Sequence, residues 1–394
     1  MKHVLILGLG PVQEFLAAAR RTRDLWFGSW MLSELARAGA RTLAEQPGGE
    51  LVFPHPALLD DETASFANKI VAQVDDPAGA ANAAIASIRA RLAALRDDAF
   101  RDCRRDPQLV LDAAEMQIAD LVELYWSSAA IEPGDTGYHD ARDRADRLLT
   151  ARRQSRLWAP VGWGKDVPKS AIDGQRESVL HENLFDDPDL TPADLYRRFR
   201  IDDNERLCGV SLLKRLGRRK SNKFAHHFLS TGHLAAGPLL ERLSKLAQEP
   251  ERKSEAVASW NALIRAIGDQ RIDLTESRIF TEGYGHPILG AIDASLLFES
   301  RLPDFYPELR TRMERRDAAL PLERFLRRFL EVIGVSTPCP YFAVLVADGD
   351  YMGDAIDRLT TPEQHRDFSR ALGRFSATAH SVVEGRFGGE LVYS

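Results

Sequence analysis

Six apolar residues in a row, Tyr341-Phe342-Ala343-Val344-Leu345-Val346, run almost directly into Asp348-Gly349-Asp350-Tyr351-Met352-Gly353. A short unbroken apolar run bounded by turn residues predicts a strand buried on both faces, which commits this part of the chain to a layered sheet. Two carboxylates at the carboxyl end of such a strand are placed to hold Mg²⁺, a hard cation that takes oxygen ligands and keeps several waters. The competing reading is a strand-end turn in which an Asp caps the next segment; the unbroken strand and Gly353 favour metal. A magnesium-dependent phosphoryl-transfer site normally needs a further carboxylate from a neighbouring strand. A helical stretch from about Thr361 to Glu384 follows, then Gly388-Gly389 and the start of a strand at Glu390-Leu391-Val392-Tyr393 before Ser394.

The length of 394 residues predicts two or three domains, each with enough chain to bury a core. A net charge of −6 argues against a protein that coats nucleic acid uniformly, while leaving room for local basic patches. Cys103, Cys208 and Cys339 are too scattered for a disulfide framework and fit a reducing cytosol. No apolar segment approaches the roughly 20 residues that span a bilayer. Met1-Lys2-His3 leads straight into a strand and not into a signal peptide, so a cytoplasmic protein without membrane partners is expected.

The first segment reads as strand His3–Leu7, turn Gly8-Leu9-Gly10-Pro11, then helix with a kink or break at Gly28-Ser29. Leu51-Val52-Phe53 is a short second strand, and a helix is expected from about Pro77 to Leu111. From about Gln117 to Pro338 the chain is mostly helical, interrupted by a loop at Trp158–Gly164 and by a small strand pair at Arg271–Leu274 and Ser277–Phe280. Ser336-Thr337-Pro338-Cys339-Pro340 is the clearest linker. Three domains are therefore expected, over 1–116, 117–338 and 339–394.

Several motifs fail on inspection. Gly8-x-Gly10 lacks the third glycine of a dinucleotide fingerprint, because position 13 is Gln13, and no Gly-Lys-Ser/Thr follows for a P-loop. Arg20, Arg21 and Arg23 suit anion recognition, yet a solvated face with an internal Arg–Asp pair is the favoured reading. Cys208-Gly209-Val210-Ser211 is half a zinc motif with serine for the second thiol, and zinc is not expected there. His226, His227 and His233 read as surface or packed histidines, and His139-Asp140 is a dipeptide common by chance, whose metal site would require distant His and Asp ligands on other helices. Two dense basic runs remain. Lys214, Arg215, Arg218, Arg219 and Lys220 form one, and Arg310, Arg312, Arg315 and Arg316 the other; both are candidate contacts for RNA or for an acidic partner.

Read together, these segments resemble the large subunit of type III CRISPR effector complexes, in the Cmr (III-B) branch of the Cas-ten family. Gly10-Pro11-Val12-Gln13-Glu14-Phe15, followed by Ala18-Ala19-Arg20-Arg21-Thr22-Arg23-Asp24-Leu25-Trp26-Phe27-Gly28-Ser29, is similar to that family's opening signature. Pro168-Lys169-Ser170, Asp173–Val179, Glu205–Gly209 and Ser230–Ala235 resemble its central segments. Asp348-Gly349-Asp350-x-Met352-Gly353 is similar to the first metal-binding strand of its second Palm domain.

The resemblance implies an α+β fold: a ferredoxin-like first Palm, a mostly helical middle domain with a degenerate zinc site, and the start of a second ferredoxin-like Palm. It implies that Asp348 ligates Mg²⁺ or Mn²⁺, with Asp350 nearby and the Gly349 backbone carbonyl assisting. ATP would be the substrate, joined into cyclic oligoadenylates when crRNA-guided target RNA activates the complex by two-metal phosphoryl transfer. Other Cmr subunits, crRNA and target RNA are the implied partners.

Three departures shape the expectations. No amino-terminal HD nuclease domain precedes the first Palm strand, so its DNase activity is not expected. Ser170 and Asp173 stand in one arm of the zinc site, and Cys208 with Ser211 in the other. The Gly-Gly-Asp-Asp turn would follow Ser394, so the chain alone is expected not to cyclise ATP. A non-catalytic scaffold that docks Cmr subunits and guide–target RNA is the alternative reading.

Overall fold

The computed structural model describes residues 1–61, 64–155, 166–190, 192–217, 231–268, 286–290, 294–306, 309, 311–335, 338–386, 389 and 391–392. The expected loop at Trp158–Gly164, the strand pair at 271–280 and the pair His226-His227 lie outside them.

Strand β1, His3–Gly10, is the centre of the amino-terminal sheet. A short α1, Gln13–Ala17, precedes the long α2, Thr22–Glu45. Then come β2, Glu50–Phe53; β3, Lys69–Val74; α3, Pro77–Ala99; α4, Leu111–Ala119; β4, Glu123–Ala130; and α5, Gly137–Gln154. The sheet order is β2-β3-β1-β4, with every neighbouring pair antiparallel. Side chains alternate faces along a strand. Leu5, Leu7 and Leu9 therefore join the core beneath α2 and α3, while Val4 and Ile6 meet Ala141, Ala145 and Leu149 of α5. This two-sided cover explains why β1 reads as a continuous apolar run.

Three details differ from the sequence reading. α2 is continuous through Gly28, and the break falls earlier, between Ala18 and Arg21. Gly28 is there for space: a Cβ would sit 3.0 Å from Lys214 Cε and 3.1 Å from Phe15 Cε1. The helix expected from Pro77 to Leu111 stops at Ala99, and the chain turns before α4. Asp76 starts α3 by accepting the Gly79 N–H at 3.1 Å, a side-chain cap for an otherwise orphaned donor. Strands β3 and β4 add to the two expected strands, and β4 carries the sheet beyond residue 116.

After α5 come α6, Asn183–Asp186; α7, Pro192–Phe199; and α8, Gly209–Leu216, which pack on the first core. A second core gathers α9, Thr231–Ala235; α10, Gly237–Leu246; α11, Pro250–Gly268; and α12, Arg312–Val332. There Trp260 and Phe329 meet with ring centroids 5.0 Å apart. Thr311 and Glu314 form a reciprocal capping box that starts α12.

The chain closes with α13, Met352–Asp357, and α14, Pro362–His380. The latter lies against the β2 end of the sheet. The His55 amide donates to Ser369 Oγ at 2.7 Å, Phe53 stacks on His365 at 5.9 Å, and Tyr138 Oη lies 2.9 Å from His365 Nδ1. No helix among the described residues is long and apolar enough to cross a membrane.

Candidate metal and interface sites

The basic run beginning at Lys214 is not a surface. Lys214 and Arg215 are each 1% exposed, which overturns their reading as RNA or subunit contacts. Arg215 Nε and Nη2 fork onto the Asp24 carboxylate at 3.0 Å each, and Nη1 donates to Glu205 Oε2 at 2.8 Å. Arg21 joins the same cluster through Glu205 Oε2 at 2.7 Å and Asp202 Oδ2 at 3.1 Å. Burial alone would raise the Glu205 pKa, but the Arg215 hydrogen bond and the Arg215 and Arg21 charges outweigh it and hold it below the ordinary value. Lys214 Nζ donates to the Phe15 and Ala18 carbonyls and sits over the Phe15 ring, and burial pulls its pKa down to about 8. Arg21 and Asp24 thus form an internal joint to α8 where a solvated face was expected, while Arg20 stays exposed and Arg23 donates to the Gly217 carbonyl at 3.2 Å. Nothing in the local sequence of either segment signals that the two meet. Arg218, Arg219 and Lys220 lie outside the described residues.

The four residues of the degenerate zinc pattern do converge. Cys208 Sγ lies 3.5 Å from Asp173 Oδ2 and 3.3 Å from Ser211 Oγ, and accepts the Ser211 N–H at 3.4 Å, capping α8. Ser170 Oγ accepts the Ile172 N–H at 3.4 Å beside them. Burial and the Asp173 charge raise the Cys208 pKa, keeping the thiol protonated. Two hydroxyls, one carboxylate and one protonated thiol do not match the Cys and His donors that structural zinc prefers. A pocket of about 290 Å³ opens beside this knot, lined by Glu14, Phe15, Asp173, Arg176 and Ser211 among others.

Asp348 and Asp350 lie on an exposed turn, and Asp348 Oδ1 accepts the Gly349 N–H at 2.9 Å. Tyr351 follows in the left-handed region, at φ 56°, and leads into α13. The expected two-faced strand is absent: residues 341–346 pair with no strand among the described residues, and Val344 and Leu345 are 78% and 86% exposed. An apolar run becomes a buried strand only where neighbours supply both edges and both layers. Among the described residues no three His, Cys, Asp or Glu side chains converge on one point. Mg²⁺ needs only one or two carboxylates when water and phosphate complete its shell, so the donor pair fits that ion.

Arg312 and Arg316 of the second basic run are exposed on α12, and the half-buried Arg315 donates to the Leu309 carbonyl at 2.6 Å. Arg310 lies outside the described residues. Of the histidines, buried His233 accepts the Ala294 N–H at 3.1 Å, a structural role. His139 sits 3.5 Å from Asp143 on its own helix. The sequence reading missed Tyr138, Arg142 and His365, which only the fold brings together.

Residues 4–98 match the family model for the amino-terminal part of the CRISPR-associated protein Cmr2, and residues 341–394 match the second palm domain of Cas10/Cmr2. Two models from one family match in order at opposite ends of one polypeptide. Both matched segments are those of the Cas10/Cmr2 family. Among solved structures, this chain is similar to one described as type III-B Cmr-beta bound to cognate target RNA. The TM-score is 0.51 at 15% identity, covering 90% of this chain and 46% of the other. It is also similar to the apo state of type III-B Cmr-beta, with TM-score 0.40, 15% identity and coverage of 64% and 37%. The chain spans less than half the length of either. No curated protein matches it.

Proposed function

We propose that this chain is part of the large subunit of a type III-B Cmr complex, assembled with other Cmr subunits on crRNA and target RNA. The reading rests on the ordered match of Cas10/Cmr2 segments at residues 4–98 and 341–394. The β-α-β-β-α-β order of the sheet, with β1 and β3 central and all pairs antiparallel, supports a ferredoxin-like first Palm. A helical middle domain and the start of a second Palm would follow it.

In this reading Asp348 and Asp350, with the Gly349 carbonyl, hold Mg²⁺ or Mn²⁺ against the phosphates of ATP. The metal would neutralise charge on the reacting α-phosphate during synthesis of cyclic oligoadenylate. The decisive experiment assembles the intact complex with target RNA, ATP and Mg²⁺ and compares wild type with Asp348→Asn. Loss of cyclic product, with assembly and RNA binding retained, supports the reading; unchanged product overturns it.

A second reading, a docking scaffold, is favoured by one observation: Arg312 and Arg316 project from α12 without ion pairs among the described residues. The two readings are compatible.

A further inference from the structure

Arg142 reaches from α5 to the elbow that follows the candidate metal turn. Its side chain is 6% exposed, and Nη1 donates to the carbonyls of Ile356 at 2.8 Å and Leu359 at 3.0 Å. Nη2 faces Asp143 at 3.2 Å and His139 Nδ1 at 3.3 Å, and Asp357 lies 3.7 Å away. The Ile356 carbonyl already accepts the Leu359 N–H at 3.0 Å, so the guanidinium takes its second lone pair together with the Leu359 carbonyl just past the end of α13, tying the elbow at two points.

The helix being gripped is α13, whose first residue, Met352, is two positions beyond Asp350. The helix doing the gripping is seated under the sheet through Ala141, Ala145 and Leu149, against Val4 and Ile6 of β1. Tyr138, one turn earlier on α5, meets His365 of α14 at 2.9 Å. Residues 341–350 are exposed throughout and make no strand pairing of their own among the described residues. The turn is therefore located relative to the first sheet chiefly by what holds α13.

We infer that Arg142 is a positioning residue for the carboxylate turn: it fixes where Asp348 and Asp350 stand relative to the first sheet. This rests on the metal reading of those carboxylates. The guanidinium touches neither metal nor nucleotide in this role and acts only through the Ile356 and Leu359 carbonyls.

The test uses Arg142→Met, which keeps much of the stem and removes the donors, Arg142→Lys, which keeps one cation, and Asp348→Asn. Hydrogen exchange on the full chain reads the clamp directly. Arg142→Met is expected to accelerate exchange across 352–360 by roughly tenfold or more, the scale of a lost charge-assisted hydrogen bond, while amides of β1 and α2 keep their protection. Arg142→Lys should fall between.

In the assembled complex, Arg142→Met should lower kcat for cyclic product with little change in KM for ATP, and Arg142→Lys should recover part of the rate. Wild-type exchange at 352–360 together with wild-type kcat in Arg142→Met overturns the inference. If Arg142→Met loses protection throughout, Arg142→Lys decides: local loss at 352–360 with a reduced kcat supports positioning, and any other pattern refutes it. Unchanged product with Asp348→Asn removes the metal reading and with it the positioning role, even where the exchange result shows that the contact exists.

Discussion

Arg215 and Asp24 face each other through a two-point fork, Nε to Oδ1 and Nη2 to Oδ2, both at 3.0 Å and both side chains 1% exposed. Their positions in the chain are 191 residues apart. Glu205 closes the other side of the guanidinium, so one cation is balanced by two carboxylates, with Arg21 adding a second cation. Desolvating such groups is costly, and removing one partner strands the others. Asp24→Ala is expected to lower folding stability by about 3–5 kcal/mol, the range for a broken buried ion pair. Chemical denaturation checks this, and a loss under about 1 kcal/mol would mean that the pair is solvated in solution.

The seam around His365 gives a pH dependence with a definite sign. Burial first, then the Arg142 and Lys69 charges, lower the His365 pKa to about 4 from an ordinary 6.5. The unfolded chain therefore binds a proton between pH 6.5 and 4 that the folded seam does not, so stability falls across that window as pH drops. The full loss is on the order of 3 kcal/mol. Glu205, whose pKa is also lowered, contributes in the same direction at lower pH: its share is present above the usual carboxylate range and is lost as pH falls further. Denaturant titrations at pH 7.5, 5.5 and 4.5 should show the first slope, and His365→Gln should flatten it.

Thiol chemistry separates the three cysteines. Cys339 is exposed, whereas Cys103 and Cys208 are buried. Burial raises Cys103 to about 11 and raises Cys208 as well, with nearby carboxylates adding to both. Since the thiolate is the nucleophile, a disulfide reagent at pH 8 should modify one thiol rapidly and the other two at least about a hundredfold more slowly. Rapid reaction at Cys208 would refute the packed knot with Asp173 and Ser211.

The two basic runs should respond differently to charge reversal. Arg312→Glu with Arg316→Glu alters exposed side chains and should leave stability within about 0.5 kcal/mol while weakening association with the complex or its RNA. Lys214→Glu with Arg215→Glu places acids against Asp24 and Glu205 and should prevent folding of the amino-terminal unit. Circular dichroism paired with co-purification distinguishes the outcomes. Unaltered assembly in the α12 variant would remove that face as a contact.

Legibility in the sequence followed periodicity and stopped at long-range pairing. α2, α12 and α14 announce themselves by apolar spacing and, for α12 and α14, by capping boxes at Thr311 and Thr361. β4 escaped because Glu123–Ala130 is only partly buried and carries Ser-Ser-Ala-Ala where a core strand would be branched. The run at Lys214 looked solvated because charge density is local information, whereas its neutralising partner Asp24 sits in another helix. Conversely, the family resemblance, and not local spacing, paired Ser170 and Asp173 with Cys208 and Ser211, and these do meet, although the chemistry there is hydrogen bonding through a neutral thiol. Tyr138, Arg142 and His365 carried no motif at all; only the docking of α14 against β2 and α5 gives them a shared address.

The exposed run from Tyr341 to Val346 has a consequence for the chain in solution. Six residues of high strand propensity and no charge, without proline, present unpaired N–H and C=O groups to water beside side chains that gain by leaving it. Such a segment pairs readily with its copy on another molecule. Self-association that grows with concentration is expected to begin here, and a charged residue at Val344 or Leu345 should reduce it, as sedimentation over a dilution series would check.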